Sequence, residues 1–459
     1  MRPPVFLYPM KKQRLFAALP LLLAGLCTAA PAADNITTPE QLFPQLDGIL
    51  KQAIAQSPAM INRAIDLEIA EQDRIASRAG MLPSFGGNAS VYQARDDRAD
   101  LDKVINVSKV YYNFSVNQPL YHWGDRQNSA RMGEIRQSLT QGQYQEAYRK
   151  LAQEVRAQYF RLIIGKLRME RGKFYADFTA KQRKQAEVRL NNKALSDAQF
   201  FTIRMEAERA QIAAERTAFD FENEKASFAR LTGMPPLRDD EIPTTIPAVA
   251  SQEEAIQQVL AGFLAQKDPV NAEAEVYRKS VKLEEINLAM AKVRLLPKFN
   301  AVVGASQDEQ SYTYNTSQKY AVQSIFAGIS MNWSIFDGFS SGAVVRTSLG
   351  KLRQMRNDYR MLTERLAAQA QSQARITGFS ARYAAISDRY LESSEGNVRS
   401  KKAEFARGVI SEEDMNGSQL NLYDSQLTAL VSRADYYNQV CEFLGTVMAD
   451  PVIRNLAQK

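Results

Sequence analysis

Hydrophobic and polar positions change their period along the chain, at matching places in its two halves. Around 62–81 apolar residues recur at helical spacing. That stretch ends at Leu82-Pro83, since proline disfavours helix in the residue before it. The period then drops from 3.6 to 2. Over 111–118, Tyr112, Phe114 and Val116 alternate with Tyr111, Asn113, Ser115 and Asn117. Over 299–306, Phe299, Ala301, Val303 and Ala305 alternate with Asn300, Val302, Gly304 and Ser306. Over 327–334, Ala327, Ile329, Met331 and Trp333 alternate with Gly328, Ser330, Asn332 and Ser334. A weaker strand pattern covers 86–94. The expectation is four strands of about ten residues in two hairpins, with polar loops near 95–110 and 307–324. An ordinary half-buried sheet shows the same alternation as a membrane β-barrel.

After Gly124 and Gly338 the pattern turns helical. Ala147, Leu151, Val155, Tyr159 and Leu162 form one apolar stripe. Leu352, Met355, Tyr359, Leu362 and Leu366 follow the alternating three-four spacing of a coiled-coil seam. No proline falls between Pro119 and Pro235, or between Pro297 and Pro451. The natural breaks are Asn191-Asn192-Lys193 and Gly408. Each half therefore sends out one helix of about 65 residues, close to 100 Å long at 1.5 Å per residue. The return from the first break reaches Gly233, stops at the Pro-rich stretch Met234 to Pro247, and resumes over 270–296. The expectation is that these two short helices stack as one returning column, and that the helix after Ser411 stacks likewise with the helix before Pro83.

The two halves are one unit used twice. Leu82-Pro83-Ser84-Phe85 recurs as Leu296-Pro297-Lys298-Phe299, and Tyr121-His122-Trp123-Gly124 recurs as Ile335-Phe336-Asp337-Gly338, both 214 residues later. Leu195-Ser196 matches Ile410-Ser411, Leu231-Thr232-Gly233 matches Phe443-Leu444-Gly445, and Ser57-Pro58 matches Asp268-Pro269, at offsets of 215, 212 and 211. A period this long is an internal duplication, not a solenoid. The resulting division is a signal peptide over 1–33, a first repeat over 34–233, a Pro-rich equatorial linker over 234–252, a second repeat over 253–447 and a C-terminal tail over 448–459.

The signal peptide rests on the basic run Lys11-Lys12-Gln13-Arg14, the short apolar stretch Leu15 to Cys27, and small residues for cleavage near Ala32 or Ala33. Met10 is an alternative start. Cys27 follows Leu26, where a lipoprotein signal wants a small residue. Beyond residue 33 no apolar run is long enough for a membrane helix. The protein is therefore expected to be exported without a helical span.

The 459-residue chain carries a formal charge of +7, but its first 33 residues hold four bases and no acid. The remainder has 54 bases against 51 acids, which argues against a general nucleic-acid binder. A single histidine, His122, rules against a histidine metal site or triad, and the two cysteines cannot build a disulfide framework. No constellation of acid, base and nucleophile stands out, so the chain is not expected to be an enzyme or to need a cofactor. His122 lies between Tyr121 and Trp123 where a strand meets a helix, and interfacial aromatic packing is its expected role. Phe114, Val116, Ile329, Met331 and Trp333 are expected to face lipid. Four strands cannot close alone in hydrocarbon, because their edges would be unpaired. Sharing a barrel among three copies gives twelve strands.

With its paired Leu-Pro-x-Phe steps and the glycines after the second and fourth strands, the chain resembles the TolC family of outer-membrane channel proteins. Phe405-Ala-Arg-Gly408-Val-Ile-Ser411-Glu-Glu-Asp414 is similar to the family's helix-hairpin tip, G-x-x-S-x-x-D. The resemblance covers nearly all of 40–447. It implies a mostly α fold with a membrane β-barrel contribution: a homotrimer whose 12-stranded β-barrel continues as a periplasmic α-barrel. It also implies partners, namely a periplasmic adaptor protein and an inner-membrane RND or ABC transporter, with the Gram-negative outer membrane as location. By resemblance, adaptors would contact the tips at Lys193, Leu195, Ser196, Arg407, Gly408, Ile410 and Ser411. Asp414 takes the place of a gate aspartate, and Glu412, Glu413 and Asp414 would ring the periplasmic mouth. The first-half tip departs from the pattern, with Lys193 in place of glycine and Gln199 in place of aspartate, and Trp123-Gly124 is a looser form of Asp337-Gly338. Efflux and type I protein secretion remain open as functions. A soluble periplasmic coiled-coil scaffold is the rival of another class; it explains the helices but not the twice-placed strands.

Overall fold

The computed structural model describes residues 36–96, 104–250, 252–266, 268–311 and 319–453. The expected signal peptide and the strand-connecting turns lie outside the described residues. In chain order the elements are α1 (Pro39–Leu42), α2 (Pro44–Gln56), α3 (Pro58–Ala79), β1 (Ser84–Asp96), β2 (Ile105–Tyr121), α4 (Asp125–Asn191), α5 (Asp197–Thr232), α6 (Glu253–Leu264), α7 (Ala272–Lys292), β3 (Lys298–Ser311), β4 (Lys319–Asn332), α8 (Ser340–Ala406) and α9 (Glu412–Thr446).

The two long helices, α4 and α8, each have 67 residues. Their apolar stripes are where the periodicity put them: Leu151, Val155, Tyr159 and Leu162 of α4 and Leu352, Leu362 and Leu366 of α8 are buried. The shorter helices pair differently from the expectation. The last residue position of α5 abuts the first of α3: a Cβ on Gly233 would fall 2.1 Å from the Gln56 carbonyl oxygen. At the other joint, Asn271, the N-cap of α7, donates from Nδ2 to the Thr446 carbonyl at 2.8 Å. So α5 stacks on α3, and α9 stacks on α7, each within its own repeat, rather than α5 on α7 and α9 on α3 as the order of the return path suggests. Short connections dictate this. The β1–β2 hairpin joins the top of α3 to the top of α4, and the tip turn joins the bottom of α4 to the bottom of α5. Both short helices must therefore lie along α4.

Four columns result, side by side: α5 with α3, then α4, then α9 with α7, then α8. Beyond their neighbouring columns, the outer columns are touched among the described residues chiefly at the equator, α5 by α2 and α8 by α6, and they do not pack against each other. The sheet has the same openness. It is an antiparallel meander in the order β1-β2-β3-β4, with β1 and β4 as its edges. The strands have 13, 17, 14 and 14 residues, longer than the ten expected. Much of 95–110 and 307–324, expected as loop, is strand. The pairing shows why the pattern hid it. Beyond the row Tyr112, Gln307 and Gln323 the apolar face keeps the Val91–Val110 pair and then turns polar at Gln93 and Ser108, so the alternation loses contrast while the ladder continues.

Below that row the register puts Phe85, Phe114, Val116, Ala301, Val303, Ala327, Ile329 and Met331 on one face. Asn88, Ser115, Asn117, Asn300, Gly328 and Ser330 share the other. No helix covers either face. Ile325 is 89% exposed and Ile329 72%. Along a strand the apolar band runs about seven residues, or about 20 Å at 3.4 Å per residue, close to the hydrocarbon band of a membrane barrel. Gly304 sits where the chain needs no side chain: a Cβ there would meet the Phe326 ring at 2.5 Å and the Phe114 carbonyl at 2.8 Å.

The core is at the equator, midway along the columns. Arg156 of α4 is 1% exposed there. Its guanidinium forms a two-pronged pair with Asp450, at 2.6 and 3.1 Å, and donates a third bond to Glu40. One cation thus ties both chain ends to the long helix. The Pro-rich stretch is pinned nearby: Lys166 donates to the carbonyls of Asp239 and Ile242, and Arg433 to that of Ile246. Ile242 and Ile246 are buried beneath it. Cys441 is buried in the same core, and that burial pushes its thiol pKa well up, which makes it an inert hydrophobe.

Candidate functional site

Two places carry the residues singled out from sequence: the lower tips of the helix hairpins, and the junction of sheet and helices. At the tips, each long helix ends in a left-handed residue. Lys193 has φ 58° and Gly408 has φ 72°. The next amide reaches back five residues in both, Ala194 to the Arg189 carbonyl at 2.8 Å and Val409 to that of Glu404 at 3.0 Å. This is the Schellman closure of a helix C-terminus. The two turns are therefore one shape, even though one uses lysine. Left-handed backbone costs a residue with a Cβ roughly 1–2 kcal/mol. Lys193→Gly is therefore expected to stabilise the protein by about 0.5–1 kcal/mol, net of the extra unfolded-state freedom of glycine. Gly408→Val should destabilise it. Thermal unfolding followed by helix signal checks both; a less stable Lys193→Gly protein would contradict the strain.

The returning helices start in matching capping boxes. The Ser196 hydroxyl accepts from the Gln199 amide, and the Gln199 side chain accepts from the Ser196 amide. In the second half the Ser411 hydroxyl accepts from the Asp414 amide at 3.0 Å, while Asp414 Oδ2 accepts from the Ser411 amide and hydroxyl. Those bonds hold the Asp414 carboxyl below its ordinary pKa. Gln199 is thus the working equivalent of Asp414 for capping, without the charge. Glu412 pairs with Lys181 of α4 at 3.6 Å, and Glu413 accepts from Gln182 at 3.1 Å. All three acids are exposed yet each has a partner within the chain. Sequence spacing placed them on the first turn of a helix, but nothing local could show Lys181 and Gln182 more than 200 residues away. Leu195, Arg407 and Ile410 complete the two turns beside Val409, which is 68% exposed.

At the junction, Trp123 donates its indole N–H to the Pro297 carbonyl at 2.9 Å, and Trp333 donates to that of Leu295 at 3.1 Å. Both tryptophans thereby grip the one turn that enters β3. Tyr121 and Trp123 meet edge to face with centroids 4.9 Å apart. His122 does not join them, contrary to the aromatic packing expected of it. It is buried, bonded to Asn300 Oδ1 through Nε2 at 2.9 Å, and accepts from Arg126 at Nδ1. Strand alternation turns it to the polar side. Asp337 accepts from the Ser341 amide at 3.0 Å and so caps α8. Trp333 lies just past β4, next to Met331 in the same alternation. Among the described residues no helix is long and apolar enough to cross a membrane, and no cluster of His, Cys, Asp or Glu could hold a metal ion.

Residues 49–164 match the sequence profile of a family described as outer membrane efflux protein. Comparison with curated protein sequences finds no match. Solved structures are similar along nearly the whole chain. The CmeC outer membrane channel of Campylobacter jejuni is 11% identical, with 92% of each chain covered and a TM-score of 0.69. The MtrE outer membrane channel of Neisseria gonorrhoeae is 13% identical, covering 88% of this chain and 89% of its own, with a TM-score of 0.62. The outer membrane protein VceC of Vibrio cholerae is 12% identical, covering 88% and 96%, with a TM-score of 0.61. With a sequence match from α2 into the first long helix, and a shared fold over about nine-tenths of the chain, the resemblance to the TolC family of outer-membrane channel proteins holds.

Proposed function

We propose that three copies of this chain close head to tail into an outer-membrane exit duct that serves efflux. The observation carrying this is the pair of open edges. The α5–α3 column exposes Ile61, Ile65 and Ile69, spaced four apart, and Ile212 and Phe219. The α8 column, on the far side of the chain, exposes Met361, Ile376, Phe379, Tyr383, Ile386 and Tyr390, four of whose steps follow the three-four seam of a coiled coil. Counted from the tip, Ile212 and Phe219 stand level with Tyr390 and Tyr383; counted from the equator, Ile69 stands level with Met361. An edge that fits the opposite edge of an identical neighbour is a heterologous contact, which closes into a ring. β4 of one copy then pairs with β1 of the next, so that no ladder edge is left in hydrocarbon. Phe114, Val116, Ile329, Met331 and Trp333 face lipid in such a ring, and the asparagine and serine face lines the lumen.

Efflux is favoured over type I secretion because the matched family is described as outer membrane efflux protein; CmeC and MtrE are described as outer membrane channels. Export would then run from an inner-membrane RND or ABC transporter through a periplasmic adaptor seated on the tips. A periplasmic scaffold leaves the bare apolar sheet face unexplained. Purified protein in planar bilayers should give discrete conductance steps; a protein that never conducts would refute the duct. A photo-cross-linker at Ile410 should capture an adaptor in cells.

Glu412, Glu413 and Asp414 would ring the mouth, up to nine carboxylates from three copies, in the manner of cation-selective pores. The triple variant Glu412→Gln, Glu413→Gln, Asp414→Asn should lower cation preference and weaken block by multivalent cations, with helix content nearly unchanged. Unaltered reversal potential and block would mean that the acids only cap α9 and bind Lys181 and Gln182.

A further inference from the structure

Just below the lipid-facing band, at the helical side, the chain gathers positive charge. The segments 72–82, 122–134, 288–298 and 333–346 meet there, at the tops of α3, α4, α7 and α8. They hold eight bases against four acids. Counting Glu71, which pairs with Arg74 from one residue outside these segments, the collar keeps an excess of three bases, as large as that of residues 34–459 as a whole. The helix dipole explains part of it: Arg78 and Lys292 stand at the C-terminal ends of α3 and α7, where cations are favoured. Arg126 stands in the first turn of α4, where the dipole favours acids instead, and Arg131 and Arg346 stand in the second turns of α4 and α8, where the dipole gives them no support. Arg78, Arg131, Lys292 and Arg346 are exposed and make no ion pair with a described residue. Beside them lies a belt of bare aromatic surface: Trp333 is 51% exposed, Phe336 70% and Phe339 81%. Phe339 holds a left-handed backbone, φ 67°, to stand there, and its ring meets that of Phe336 edge to face at 5.4 Å.

Aromatic rings at the level of headgroups, with unpaired bases one to two helix turns beyond, are the chemistry of an anionic lipid surface. We propose that this collar binds the anionic phospholipids of the periplasmic leaflet, with phosphatidylglycerol as the simplest member. The proposal rests on the outer-membrane duct reading and adds to it a lipid class and its residues. Each base near such a surface shifts partition on the order of five-fold.

The test is native mass spectrometry of the full chain in detergent, offered phosphatidylglycerol and phosphatidylethanolamine in equal amounts. Several phosphatidylglycerol molecules should stay bound per assembly, at several-fold preference. The preference should collapse near 1 M salt, where the Debye length is about 3 Å. The variant Arg78→Gln, Arg131→Gln, Arg346→Gln should lose most of it while keeping its assembly mass and conductance. Equal retention of the two lipids by the unaltered protein overturns the proposal. So does a preference that survives high salt, or a triple variant that changes conductance and not lipid binding, which would place the bases in the lumen. A protein that enters no bilayer at all would instead sink the duct.

Discussion

Ile329→Arg should nearly abolish membrane assembly, while Ser330→Arg, one residue on, should be tolerated. The two positions are neighbours in β4 but the pairing sends them to opposite faces, Ile329 opposite Ala301 and Ser330 opposite Asn300. An arginine at the lipid midplane of a barrel costs about 2–4 kcal/mol, and a closed ring of three bears it three times. On the proposed lumen face the same side chain would meet water. The readout is the fraction of each variant recovered in outer membranes as heat-stable assembly. Equal recovery of both would mean that the faces are reversed or that there is no barrel.

Arg156→Met should destabilise the folded chain by about 3–5 kcal/mol, since it leaves buried carboxylates without their cation. Glu40 and Asp450 both point at this one guanidinium, and both are buried with it. The loss should appear as a lower unfolding midpoint and as faster proteolysis of the segments around Glu40 and Asp450. Adding Glu40→Gln and Asp450→Asn to Arg156→Met should restore much of the stability, because a neutral cluster has no charge to desolvate. If Arg156→Met alone costs under about 1 kcal/mol, the equatorial clamp is not what holds the two chain ends.

Features with a local cause were legible in the sequence. The long helices followed from proline-free stretches and unbroken seams, and the strands from alternation as far as Tyr112 and Gln307. Duplicated turn residues located both tips: Lys193 and Gly408 share a conformation, as their common place in the repeat implied. What stayed hidden depends on partners far along the chain. Arg156 reads as one more base between Val155 and Tyr159; its acids lie 116 and 294 residues away. The stacking of α5 on α3 was misread because chain order was taken as spatial order, whereas hairpin connections decide which ends meet. His122 was assigned to its aromatic neighbours in sequence, although alternate residues of a strand end point to opposite sides. The partners of Glu412 and Glu413 stay hidden in the sequence because they sit on the antiparallel helix.

The central claim is that one chain is a third of a closed wall. Among the described residues its outer columns, α8 and α5 with α3, do not pack against each other, and β1 and β4 are the unpaired edges of the sheet. The mass of the intact detergent-solubilised assembly, measured together with its strand and helix signals, tests this most directly. Three chains per particle is the predicted result, with helix content falling when the particle is split. A stable single chain that keeps both its strand and its helix signal would contradict it.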